Sequence, residues 1–408
     1  MACGHPLAVP PGPWLAGQLG TPGATASSRP AAPLAGAAWT PVPRVVLIGA
    51  AVAPCGALVA RQRRSPARRA GGQPARQRGS VARGAWRRRA RFTASLAELP
   101  STIIGKSAPL HLVFSASCMP HPEKLAKGGE DGYYACPLSQ SFGVADGVGG
   151  WASQGVDPGI YSRSVLREAY DVIRRDSASQ GAADLRAALL RAVDEVSQRQ
   201  LIGGTTVLLA RLRASDSTLT VLNFGDSGLL ILRPSMRRMY DRQMALEPRV
   251  VFRTQDQTHC FNCPYQVSSS SSVMEPPDQV TVAVEAGDLI IAGSDGIFDN
   301  LFDHEIQWLA KEALVRAWVE SGVEMQPQLD KFAVTLAQAA QTNGLRQHGP
   351  PVPFGISAER EGMRHSGGKL DDTTVVVAMV MPQLPGTPSP SAASAGPYPK
   401  LHNFLQPS

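Results

Sequence analysis

Hydrophobic and polar positions alternate along the middle of the chain with two different periods. Short runs rich in branched and aromatic residues predict strands over His111–Ser115, Ser141–Ala145, Thr205–Arg211, Thr218–Phe224 and Gly228–Arg233, since such side chains pack well on a pleated surface. Val280, Val282 and Val284 alternate with polar neighbours and predict another strand. Leu289-Ile290-Ile291-Ala292 is apolar without alternation, the pattern of a strand covered on both faces. Thr373–Met381 predicts the last. Elsewhere the period lengthens. Val165, Leu166, Ala169, Tyr170 and Ile173 share one side of a helix over 162–176, and Leu185, Ala188, Leu189, Ala192, Val193 and Val196 share one side of a second over 184–198. Two more helices are predicted over His304–Val319 and Gln328–Thr342. Many links between strands are too short for helical crossovers, so the expected class is α+β with mostly antiparallel sheets and helical pairs stacked as layers.

Composition divides the 408 residues into three parts. An Arg- and Ala-rich leader covers 1–97, a foldable domain covers 98–382, and a Pro-, Ser- and Ala-rich tail covers 383–408. Fourteen arginines and no acidic residue precede Glu98. The formal charge of +7 therefore misleads about the domain, because the rest of the chain holds 26 basic against 33 acidic residues, net −7. An acid-free, Arg-rich leader has the composition of an organelle transit peptide. The expected location is a mitochondrion or plastid after removal of that presequence. Nucleic-acid binding is not expected, since the basic residues lie among Ala, Pro and Gly with few aromatics for bases to stack on. Val45–Ala60 is apolar but broken by Pro54 and Gly56, and it is shorter than the roughly 20 residues that span a bilayer, so no stable membrane anchor is expected. The tail buries too little apolar surface to offset its ordering entropy and is expected to be disordered.

Cys3 and Cys55 fall in the leader, leaving Cys118, Cys136, Cys260 and Cys263 for the domain. These make no disulfide framework. Cys260-Phe261-Asn262-Cys263 is a single CxxC without a second pair, so its expected role is structural and not zinc-binding.

The chemistry lies in acidic residues at strand ends. Gly143-Val144-Ala145-Asp146-Gly147-Val148-Gly149-Gly150-Trp151 ends an apolar strand in a carboxylate among glycines. Gly225-Asp226-Ser227, Gly293-Ser294-Asp295-Gly296 and Asp371-Asp372-Thr373-Thr374 follow the same rule. Carboxylate and carbonyl oxygens suit Mg²⁺ or Mn²⁺, whereas Zn²⁺ would call for His and Cys. Gly203-Gly204-Thr205-Thr206 lacks the Lys-Ser/Thr ending of a phosphate loop, so its expected role is close packing. Trp151 and the Gly155–Pro158 turn are candidates to line a substrate approach.

The ordered set from Gly129-Glu130-Asp131 through Asp146, Gly203-Gly204-Thr205-Thr206, Asp226 and Asp295 to Asp371 resembles the metal-dependent type 2C serine/threonine protein phosphatase family. The Gly143–Trp151 run, Gly155-Val156-Asp157-Pro158-Gly159 and Phe261-Asn262-Cys263-Pro264-Tyr265-Gln266 resemble its organellar subgroup. The resemblance implies an α-β-β-α sandwich, and hydrolysis of phosphoserine and phosphothreonine in protein substrates by a water held between two Mg²⁺ or Mn²⁺ ions. It implies that Asp146 bridges both ions, that Gly147 lends its carbonyl, and that Asp295 and Asp371 complete the direct ligands. Glu130 and Asp131 are implied to hold ion-bound waters, and Asp226 and Asp299, with Asp295, to form a third, weaker ion site. Asp372 reads as polar support for Asp371. The protein is expected to act as a monomer. The alternative is a catalytically silent, phosphatase-shaped interaction protein.

Two positions depart from the wider family. Val148 stands where many members carry a proton-donating histidine, and Ala126 stands where many carry a phosphate-binding arginine. Lys124, Lys127 and Arg163 are the candidate replacement cations, a lysine offering a point charge in place of a planar fork.

Overall fold

The computed structural model describes residues 108–178, 184–238, 244–270, 275–319 and 323–383. The leader and the tail after 383 lie outside the described residues, so the expectations placed on them rest on composition alone.

The first strands are β1 (Leu110–Met119), β2 (Gly132–Cys136) and β3 (Ser141–Ala145), followed by helices α1 (Pro158–Ala178) and α2 (Leu185–Gln198). Next come β4 (Gly204–Thr205), β5 (Val207–Arg213), β6 (Thr218–Phe224), β7 (Gly228–Arg238) and β8 (Met244–Arg253). Short strands β9 (Thr258–Cys260), β10 (Cys263–Pro264) and β11 (Val267–Ser268) precede β12 (Asp278–Ala283) and β13 (Leu289–Gly293). The chain continues through α3 (Asp295–Phe298), α4 (Asp303–Val319), α5 (Met325–Gly344), α6 (Pro353–Arg360) and β14 (Thr373–Pro382).

Two five-stranded sheets carry the fold, ordered β1-β14-β13-β7-β8 and β12-β6-β5-β3-β2. Their pairings are antiparallel throughout. The inner faces meet in an apolar layer that includes Phe114, Phe142, Val144, Leu208, Val221, Ile231, Ile290 and Val376. The outer face of the β3 sheet packs against α1 and α2 through Leu209, Leu222, Leu166 and Leu189. The outer face of the β14 sheet packs against α4 and α5 through Ile291, Val377, Ile306 and Phe332. Helix, sheet, sheet and helix thus form four layers around three apolar cores, as expected.

This layering explains the unbroken apolar runs. Every residue of β13 is buried, and β14 is buried from Thr373 to Val380, because each strand faces the opposite sheet on one side and helices on the other. Edge strands read less cleanly. Val280 of β12 is 39 % exposed, and β8 carries Pro248, which an edge tolerates. α2 starts as expected, with the Asp184 carboxylate accepting from the Arg186 N–H at 3.0 Å.

Strand register sets the chemistry at strand ends. Gly132 lies opposite Ala145, so the start of β2 adjoins the end of β3. Gly293 lies opposite both Gly228 and Val375, so the end of β13 adjoins the starts of β7 and β14.

Candidate active site

Asp146 leaves the fully buried β3 and is locked through its backbone. Its N–H donates to Thr206 Oγ1 at 3.1 Å, and its carbonyl accepts from Thr205 Oγ1 at 2.8 Å and Thr206 N at 2.9 Å. The two threonines therefore position the carboxylate from β4 and the start of β5. Gly147 has no room for a side chain, since a Cβ would lie 2.7 Å from Glu130 O and 2.8 Å from Pro158 O. Gly204 is equally constrained: a Cβ there would sit 2.0 Å from Gln266 Oε1 and 2.4 Å from Trp151 Nε1. Those two side chains hydrogen-bond at 3.0 Å. Trp151 is thus tied down over β4, which accounts for its glycine-rich surroundings.

The remaining acids arrive from both sheets. Burial, with the charges of Asp131, Asp295, Asp371 and Asp226, pushes the Asp146 carboxyl well above its ordinary value. Asp131 is raised well above its own, first by burial and then by Asp372. Asp226, after Gly225 at the end of β6, is raised to about 8 by burial and by Asp295. Asp299, at the end of α3, is raised to about 7 by burial despite a neighbouring ammonium. Asp371 is raised by burial and Asp295. Burial also works against charge on Asp295, but Lys369 overcomes it and holds this carboxyl below its usual range.

Glu130 and Asp131 are both buried, at 5 % and 4 % exposure. Their loop is braced by Asp372, whose carboxylate accepts from Glu130 N at 2.6 Å and His121 N at 2.5 Å. Asp372 supports Asp371 as read from sequence, its N–H donating to Asp371 Oδ1 at 2.9 Å, and its carboxylate is also a buried tie for the loop that carries Glu130. Arg163 braces the same loop from α1, donating to the carbonyls of Gly129 at 3.0 Å and Asp131 at 3.4 Å.

Two lysines enter this acidic rim. Lys124 Nζ, from a 3-10 turn over Pro122–Lys127, lies 2.7 Å from Glu130 Oε2 and 3.1 Å from Asp371 Oδ1. Lys369 Nζ pairs with Asp295 Oδ2 and lies 2.8 Å from Asp299 Oδ2. Burial opposes the charge of each, but the facing carboxylates win and raise both above the ordinary lysine value. Lys369 escaped sequence reading. The available signal was a lone cation after Gly367-Gly368, two residues before Asp371. Lys127 and Ala126 are exposed.

Among the described residues no three His, Cys, Asp or Glu side chains form a finished ion cage. The donor set nevertheless fits a hard cation. It consists of oxygens, and both Asp131 carboxylate oxygens and Asp295 Oδ1 are buried without a hydrogen-bond partner. Buried anionic oxygens without donors are costly until a positive charge meets them, and Mg²⁺ and Mn²⁺ are the ions that oxygen donors favour.

Residues 141–349 match the family model described as Stage II sporulation protein E. The chain is 39 % identical over 274 residues to "Probable protein phosphatase 2C 55" of Arabidopsis thaliana, covering 67 % of this chain and 52 % of that protein. It is 32 % identical over 296 residues to "Probable protein phosphatase 2C 26" of Arabidopsis thaliana, covering 69 % of this chain and 88 % of the relative. Its fold is similar to the X-ray structure of the photosystem II phosphatase PBCP, with a TM-score of 0.55 and 28 % identity, covering 67 % of this chain and 100 % of that one. The chain thus spans about half the length of one curated relative and most of another. Sequence identity to these relatives and the layered fold converge on one assignment: the chain belongs to the protein phosphatase 2C family.

Proposed function

We propose that the chain is a Mg²⁺- or Mn²⁺-dependent protein serine/threonine phosphatase that removes phosphate from phosphoserine and phosphothreonine of other proteins. The observation that carries this reading is the convergence of Asp131, Asp146, Asp226, Asp295, Asp299 and Asp371 at one rim, each influenced by another of the set through its charge or, for Asp295, through a hydrogen bond with Asp146. In this reading Asp146, Asp295, Asp371 and the Gly147 carbonyl hold two ions. Glu130 and Asp131 stand behind them, and Asp226 and Asp299, with Asp295, offer a weaker third position. Divalent ions supply charge neutralisation for a phosphate dianion and acidify water at neutral pH.

The chain itself supplies placement. Thr205 and Thr206 hold Asp146, while Asp372 and Arg163 hold the Glu130 loop. Lys124 is the cation best set to meet a phosphoryl oxygen, since its amine already spans Glu130 and Asp371 with the side chain 27 % exposed. Arg163 is committed to backbone carbonyls. Val148 has no proton to give, so the departing serine or threonine oxygen draws its proton from solvent at the site.

The acid-free leader and the Gly143–Trp151 run support membership of the organellar subgroup, active in a mitochondrion or plastid once the presequence is removed. No helix among the described residues is long and apolar enough to cross a membrane. A silent, phosphatase-shaped binding protein would gain little from keeping repelling carboxylates together.

The test is phosphate release from a phosphothreonine peptide by the full chain with and without Mn²⁺, beside Asp146→Asn. We expect release only with the ion, and a loss in the variant beyond the roughly 100-fold that follows when a group merely supporting a ligand is removed. Equal rates in wild type and variant would refute the proposal.

A further inference from the structure

We propose that Cys260 and Cys263 form a reversible dithiol–disulfide site whose co-reactant is a low-molecular-weight disulfide. The two cysteines lie directly opposite each other in the β9–β10 ribbon, closed by the two-residue turn Phe261-Asn262. Asn262, the second central residue, takes the left-handed conformation, φ 54°, which asparagine tolerates in turns. Residues opposed in an antiparallel pair have Cα atoms about 4.5–5.5 Å apart, inside the window of about 4.4–6.8 Å that a disulfide requires. The thiols already face each other: the Cys263 thiol donates to Cys260 Sγ, the first cause raising Cys263 above its ordinary value.

The exposure of Cys260 separates this pair from the other described thiols. Cys260 is exposed and Cys263 half-buried, whereas Cys136 is buried. The Cys118 thiol accepts from Thr374 Oγ1 at 3.1 Å and is pushed up to about 12, chiefly by burial, so neither internal thiol is poised to react. The ribbon is also held in place. Gln257 N–H donates to Gly225 O at 2.9 Å, Tyr265 N–H donates to Gln257 O at 2.9 Å, and the Phe261 ring packs on Phe354 at 5.0 Å. An anchored ribbon keeps its sulfurs opposed in both redox states. Two thiols without a third ligand do not make a metal site.

The exchange balances. The exposed Cys260, as thiolate, attacks one sulfur of the disulfide, forming a mixed disulfide and expelling one thiolate, which takes the proton Cys260 lost. Cys263 then gives its proton to the second leaving sulfur and attacks Cys260 Sγ. Two protein thiols and one disulfide become one protein disulfide and two free thiols, and a dithiol reductant reverses the sequence. This site does not depend on the phosphatase reading.

The experiment treats the full chain with glutathione disulfide, alkylates it in denaturant and maps the peptides by mass. We expect the Cys260–Cys263 peptide to lose both alkylation sites and two hydrogen atoms, and dithiothreitol to restore them. Cys263→Ser is expected to trap glutathione on Cys260. Alkylation of both cysteines after treatment, a bond from either to Cys118 or Cys136, or a Cys263→Ser chain without adduct would overturn the proposal.

Discussion

At the scale of single residues, the site is an argument between buried carboxylates and two lysines. Lys124 meets three acids and Lys369 two, so they compete with any ion that seeks those oxygens. Lys124→Met separates the roles assigned to this residue. Loss of a charged hydrogen-bonding partner is worth about 1.5–3 kcal/mol, so kcat/KM on a phosphothreonine peptide is expected to fall about 10–100-fold. Calorimetric titration of the same variant with Mn²⁺ is expected to show tighter binding, because Glu130 and Asp371 are released. Weaker Mn²⁺ binding would mean that Lys124 organises the ion site and does not serve the phosphate. The carboxylates Asp146, Asp295 and Asp371 were visible in the sequence because each sits where an apolar run stops. Lys369 was not, because its meaning lies in partners 70 and 74 residues away along the chain.

At the scale of elements, the strands and helices with long periodic patterns were legible within a few residues. α2 was expected over 184–198 and spans Leu185–Gln198; α5 was expected over 328–342 and spans Met325–Gly344. What escaped is what periodicity cannot carry. β2 is only five residues of Gly-Tyr-Tyr-Ala-Cys, and α6 is an eight-residue helix containing Gly355. β8 is an edge strand whose pattern is broken by Glu247, Pro248 and Arg249. The strand expected over Thr205–Arg211 is split at Thr206 into β4 and β5, although the Thr206 N–H still bonds Asp146 O in register with the β3–β5 pairing. Gly204→Ala tests how tightly this junction is built. Its Cβ would strike the Trp151–Gln266 pair, and overpacking of this kind costs about 1–3 kcal/mol. The expected outcome is a lowered denaturation midpoint together with a shifted tryptophan emission; an unchanged spectrum would show that the pair moves aside freely.

At the scale of the whole molecule, both sheets contribute acids, so ion binding is linked to the docking of one sheet on the other. The linkage has a pH sign. Asp226 and Asp299 titrate at about 8 and about 7 in the fold, against about 3.9 for an unfolded aspartate. Between about pH 4 and pH 8 the ion-free folded chain therefore holds protons that the unfolded chain has released, and its stability falls as pH rises. Asp295, depressed by Lys369, acts oppositely and only in more acidic solution. A divalent ion displaces those protons, so its stabilising effect grows as they are lost. Thermal unfolding with EDTA and with Mn²⁺ is expected to show a larger gain from the ion at about pH 8 than at about pH 6; equal gains would contradict the raised carboxyls. The ammonium groups of Lys124 and Lys369 have a practical corollary. In the proposed reading they would stand in for the ions and let the sandwich assemble without them. If the proposed activity holds, an EDTA-treated preparation should look healthy by circular dichroism and gel filtration yet be silent in an assay, so folding would be no guide to whether the protein is armed.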